Sequence, residues 1–433
     1  MKRFCFIFLS VAVLFLIPQW GVLAAITDPA GNTPSNTPYT SGEEYEIDRD
    51  APTVVGINLL TGTPTNASTV IFEVTFSEAV TGAGLDDFSL NVTGVTGASI
   101  QSVTGSGTTY TLTVSTGSGS GTIALVIPSE ATIQDDVGNS LDGLPITSAD
   151  YVIDKISPET TLTGYPPSYA NQTSATFLFN ATDDGGAGVA YTECKLDTGS
   201  WEICTSPYEV SDLSAGEHTF AVRATDAASN VDSTPASYTW TIDTGAPTVV
   251  SITRLGTSPT NASQVQFSVV FSEAVIDVDA ADFALTTTGG ITGASIAEIT
   301  GTGETRTVTV NTGTKDGTIR LDVSDTATIT DLAGTGISNK PYTGDESYTI
   351  DKTLPQVVSI VRGDPNPTNA QSVTFIVTFS EPVVGVTPDV FTLTTSGTIQ
   401  GAYIVSVTGS GTTYTVTVNT GTGSGTIRLD VTP

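Results

Sequence analysis

The chain has 433 residues, with 45 acidic against 14 basic side chains, one His, one Met and three Cys. At roughly 100–200 residues per domain it has room for two to four domains, and its single imidazole excludes metal sites built on several histidines. A formal charge of −31 repels phosphate backbones, so no nucleic-acid partner is expected, and it favours hard cations, Ca²⁺ above all.

Residues 1–24 carry Lys2 and Arg3, an apolar run from Phe4 to Ile17, and Val22-Leu23-Ala24. That is the layout of a secretory signal peptide, too short in its apolar part for a membrane span. Without Lys2 and Arg3, 12 bases face 45 acids, a mature charge of −33. No other stretch is apolar enough to insert into a bilayer. The mature chain is therefore expected outside the cytoplasm or at the cell surface, where Cys194 and Cys204 oxidise.

Residues 25–50 align without a gap to a later stretch: Ile26 to Asp48 matches Ile329 to Asp351 at 14 of 23 positions. They read as the tail of an incomplete repeat unit. The last unit, ending near Leu429-Asp430-Val431, stops where that tail would begin. Two readings stand side by side: a repetitive gene broken by recombination or truncation, or a strand that one molecule donates to another in head-to-tail self-association.

From residue 51 the chain repeats. Phe76-Ser77-Glu78-Ala79-Val80 recurs as Phe271-Ser272-Glu273-Ala274-Val275 and as Phe379-Ser380-Glu381-Pro382-Val383, at offsets of 195 and 108. Pro52, Pro247 and Pro355 recur at the same offsets, each four residues after Asp48, Asp243 or Asp351. These Asp-x-x-x-Pro joints read as short, stiff linkers. Inside the first unit, 70–76, 110–114 and 122–126 alternate apolar and polar residues, and turns at 104–107 and 116–119 separate them. About seven short strands per hundred residues predict an antiparallel β-sandwich of immunoglobulin-like type.

A different unit lies between the first two copies. Phe177 with Phe179, Phe220 with Val222, and Tyr238 with Trp240 and Ile242 share faces. The fold class is thus all-β, with tandem sandwiches: A-type over 51–154, B-type over 155–243, A-type over 244–351, and an A-type unit over 352–433 lacking its last strand.

Through F-S-E-A/P-V and Ile133-Gln134-Asp135-Asp136-Val137-Gly138-Asn139, the A units resemble the bacterial Ig-like repeats of secreted and surface proteins. The B unit, with Cys194, Trp201, Cys204 and then His218 to Asp226, resembles another bacterial Ig-like module. The resemblance implies a stalk, spacer or adhesin-type array, in some families with calcium at domain joints, meeting a surface glycan or protein; fold analogy licenses no more. An accessory carbohydrate-binding region is the alternative.

Cys194 and Cys204 stand symmetrically about Gly199, as opposed residues of a hairpin do, and predict a disulfide. In the B unit Asp183, Asp184, Asp226, Asn230 and Asp232 form two oxygen-rich loops that suit Ca²⁺ or simply build turns. Glu78, Glu273 and Glu381 recur at one place, as do Asp136, Asp28 and Asp331, which points to a turn bond or a joint ion rather than a unique active site. Tyr165 and Tyr169 offer an aromatic loop for sugar contact or for packing. His218 shares a face with Phe220 and Val222, and with no nucleophile motif it reads as a packed residue. No enzyme activity is expected.

Overall fold

The alternation in the sequence becomes antiparallel strands in the computed structural model, which describes residues 26–35 and 40–432. The expected signal peptide lies outside the described residues. The chain divides into two compact units, one ending at Thr63 and resuming over Ala67–Ile153, the other made of Pro64–Asn66 and everything from Asp154 onward. Among the described residues, most of the buried apolar side chains fall into four separate clusters.

The second A copy shows the sandwich most completely. In one sheet Val249–Arg254, Gln264–Phe271, Thr305–Asn311 and Ser295–Thr300 lie side by side in that order, and Phe283–Thr287, Gly317–Val323 and Ser347–Ile350 form the facing sheet. Lettered along the chain, this is A-B-E-D against C-F-G, the constant-type immunoglobulin arrangement. Period-two alternation decides which side chains meet. Val265, Phe267, Val269 and Phe271 point inward from the second strand and pack with Ile319, Leu321, Tyr348 and Ile350. Fully burying an aliphatic or aromatic side chain contributes about 1.5–3 kcal/mol, so this stripe supplies much of the sandwich's stability.

The first copy is built on the same plan, with local differences. The expected turn at 104–107 lies inside a single long element, Ser99–Ser115, whereas the second copy has two separate strands. A later turn does recur, at Gly117, Gly313 and Gly421, with φ of 61°, 68° and 71°. A Cβ there would sit 2.1–2.2 Å from the carbonyl oxygen of Thr96, Thr292 or Gln400, so glycine alone closes it.

The B sandwich sets Glu159–Gly164, Ala175–Thr182 and Tyr208–Val210 against a five-stranded sheet that includes Val189–Leu196, Glu202–Cys204, Gly216–Asp226 and Ala236–Ile242. Its core is aromatic: Phe177 stacks on Phe220 at 4.0 Å and meets the edge of Trp240 at 5.2 Å. Cys194 and Cys204 form a disulfide with Cα atoms 5.7 Å apart. They are not directly opposed, because Cys194 faces Glu202 and Thr192 faces Cys204. The bond is diagonal, the hairpin closing one residue earlier than symmetry about Gly199 implies.

In the last sandwich the second sheet holds Phe391–Thr395 and Ile427–Val431, and six buried residues form its core against eighteen in the second copy. In the 26–48 segment Tyr45 and Ile47 are 93% and 66% exposed, while their counterparts Tyr348 and Ile350 are 2% and 1% exposed. The same side chains are thus buried only where a sandwich receives them. Among the described residues no helix is long and apolar enough to cross a membrane.

Candidate metal centre

Each complete sandwich gathers three acids at the end where the chain enters it. The first comes from the recurring F-S-E motif. Glu78 lies in the strand Thr69–Thr81, and Glu273 lies between the strands Gln264–Phe271 and Val275–Ile276. One buried donor fixes this stretch in every A copy by bonding the carbonyl two residues on. Tyr110 donates from Oη to Val80 at 3.0 Å, Tyr414 to Val383 at 2.7 Å, and Arg306 from Nη2 to Val275 at 2.6 Å. The donor's identity changes while its task does not.

The second acid closes a short loop. Asp135 Oδ1 accepts the backbone N–H of Val137, Gly138 and Asn139 at 2.7–2.9 Å, and Oδ2 accepts the Asn139 amide at 2.7 Å. Asp226 repeats the pattern with Asn230, and Asp28 with Asn32. Asp331 holds the N–H of Thr335 at 2.8 Å. Counting 195 residues back from Asp331 lands on Asp136, which is exposed; the buried equivalent is Asp135. The second copy is one residue longer between the two motifs, and that slip exchanges an inner acid for an outer one. Anchoring this loop, Asp87 accepts the Thr132 N–H at 2.6 Å and Asp282 accepts the Thr328 N–H at 2.6 Å.

The third acid belongs to the linker. Asp48 joins Glu78 and Asp135, Asp154 joins Asp183 and Asp226, and Asp243 joins Glu273 and Asp331; in each trio one oxygen per residue lies within 4.8 Å of the others. Burial chiefly, then the neighbouring carboxylates, pushes Glu78, Asp183 and Glu273 above the usual carboxylate range. On Asp135 burial also pushes upward, but the Asn139 amide and the loop N–H groups outweigh it and the net shift is downward. Crowded hard oxygens of like charge are what a divalent cation relieves, and Ca²⁺ takes six to eight oxygen ligands.

The structure brings together only part of the expected B set. Asp183 and Asp226 share a cluster, with Asp154 as the third member. Asp184 is exposed and outside it. Asn230 spends its amide on Asp226 Oδ2 and on the Asp154 carbonyl at 3.0 Å. Asp232, 3% exposed, accepts from Thr160 Oγ1 at 2.7 Å and from the Thr234 N–H at 2.8 Å, tying strand ends together. Asp183 folds over Gly186, where a Cβ would fall 2.2 Å from its Oδ1. Sequence reading missed Asp154, although Asp154-Lys155-Ile156-Ser157-Pro158 has the same Asp-x-x-x-Pro form as the other joints.

Tyr165 stacks on Tyr238 at 4.2 Å, and Tyr169 sits in a two-residue strand beside Ala236–Ile242. His218 is 7% exposed, with Nδ1 at 2.9 Å from Asp197 Oδ2 and Nε2 at 2.9 Å from the Ser214 carbonyl. Two acceptors favour the doubly protonated ring, so its pKa is raised, by Asp197 first and Ser214 next, against burial. A raised folded value means the contribution is full below the ordinary histidine range and is lost as pH rises through that raised value. The B sandwich is therefore expected to weaken between about pH 6 and about pH 9, by about 1 kcal/mol or less because Asp197 is 39% exposed. Urea midpoints at the two pH values check this, and His218→Gln should remove the difference.

No family model matches the chain, and no curated protein matches it. Among solved structures it is similar to the Escherichia coli adhesin FdeC, at 15% identity over 87% of this chain and 91% of that one, with a TM-score of 0.22. It is also similar to invasin, a bacterial integrin-binding protein, at 14% identity over 82% and 72%, TM-score 0.32. A third likeness is to domains 1–6 of the surface layer protein SbsC, at 14% identity over 88% and 64%, TM-score 0.18. The Ig-like assignment rests on the strand order of the chain's own sheets.

Proposed function

We propose that the chain is a secreted, non-catalytic array of Ig-like sandwiches that acts at the cell surface as a stalk or adhesin-like spacer, stiffened by Ca²⁺. What supports this reading is the threefold recurrence of a linker aspartate beside two acids of the sandwich it enters. Recurrence of a site in every complete unit suits a mechanical part, since a catalytic centre is needed once. A cation held by the linker acid and the two sandwich acids cross-links the incoming segment to the sandwich and limits its swing. Net negative charge, with Thr and Ser on the outer faces, keeps such an array dispersed. Small-angle scattering of the secreted chain in CaCl₂ and in EDTA tests the reading. The maximum dimension should be larger and the pair-distance distribution narrower with calcium, and identical curves would refute the stiffening.

A further inference from the structure

The three acid clusters are not equal. In the first A sandwich and in the B sandwich, the residue four after the loop aspartate is Asn139 or Asn230, whose side-chain amide occupies the aspartate's second oxygen. In the second A sandwich that residue is Thr335. Asp331 Oδ2 there accepts no hydrogen bond, although Asp331 is 1% exposed, and the Thr335 hydroxyl oxygen is likewise buried without a partner. Buried polar atoms in folded proteins are almost always satisfied, and one that is not calls for an ion or an equivalent group. Two unpartnered oxygens lie in one loop, and Asp331 shares its cluster with Asp243 and Glu273. In the B cluster the single buried oxygen without a partner belongs to Asp183, a half-buried residue, and in the first cluster no carboxylate oxygen of the described residues is both fully buried and without a partner.

We infer that Asp243, Glu273, Asp331 and Thr335 form the principal Ca²⁺ site of the chain, and that Asn139 and Asn230 act as built-in substitutes that weaken the other two. The inference rests on reading the clusters as cation sites. An asparagine amide brings positive hydrogens to the oxygen that a cation would otherwise hold, so calcium must compete with it; threonine leaves that oxygen open and adds another hard donor.

The test is hydrogen–deuterium exchange of the whole secreted chain, stripped with EDTA and titrated with CaCl₂, with MgCl₂ as the ionic control. Exchange should slow first around residues 273–276 and 329–337, at lower calcium than around 135–139 or 226–230. Thr335→Asn, which installs the residue the sister loops carry and so preserves the fold, should raise the calcium needed there about tenfold. Asp331→Asn should abolish the response. If the three clusters respond at one calcium concentration and Thr335→Asn changes nothing, the ranking is overturned while calcium binding stands. If no cluster responds up to about 10 mM, above the range of weak extracellular calcium modules, both readings fall.

Discussion

Phe267→Ala should destabilise the second A sandwich by about 3–5 kcal/mol and leave the first A sandwich untouched. Phe267 is fully buried in the middle of the strand Gln264–Phe271 and meets Tyr348 edge-on at 5.3 Å. Truncation removes that contact and opens a void between two sheets that strand pairing holds apart, so the walls have little freedom to collapse. The effect should be confined because Phe267 belongs to one apolar cluster and Phe72, its counterpart, to another. Native-state hydrogen exchange reads both parts at once. Protection should fall across residues 249–350 and hold across 54–153; equal loss in both would mean that the cores are coupled.

Asp282→Ala should cost about 3 kcal/mol or more and disorder the acid cluster with it. Asp282 is 1% exposed; its Oδ2 accepts the Asp279 N–H at 2.8 Å, and its Oδ1 accepts the N–H and the hydroxyl of Thr328. Alanine strands buried donors, each of which costs about 1–3 kcal/mol. Thr328 lies three residues before Asp331, so the loop carrying the cluster acid loses its anchor. Asp87 performs the same service for Thr132 and Asp135, and Asp87→Ala should act alike in the first copy. Chemical denaturation with two-wavelength detection measures the loss, and a change under about 1 kcal/mol would show that water satisfies the stranded groups.

The repeated Phe-Ser-Glu motif and the period-two alternation made the sandwiches legible, since both follow from which side chains face a core. The clusters were legible in kind and not in membership. Asp154 was hidden because a linker aspartate before proline has a sufficient local reason to exist, and only the fold sets it beside Asp183 and Asp226. Asp136 was the choice of an offset count that a one-residue insertion defeats, and burial falls on Asp135 instead. Tyr110 and Tyr414 are replaced by Arg306 in the second copy, so a search for one residue type misses that donor; the common carbonyl finds all three. Cys194 and Cys204 were recognisable as partners, while their diagonal register depends on where the hairpin closes.

Because each sandwich seals its own apolar interior, tension along the backbone is yielded in instalments. Were the second A sandwich to give way alone, Val249 to Ile350 would extend to about 340–370 Å at 3.3–3.6 Å per residue, releasing that length less the span of the folded sandwich, with its neighbours intact. The Cys194–Cys204 bond withholds the short loop it closes from any such lengthening of the B sandwich. A chain with these properties meets a sudden pull by lengthening one sandwich at a time.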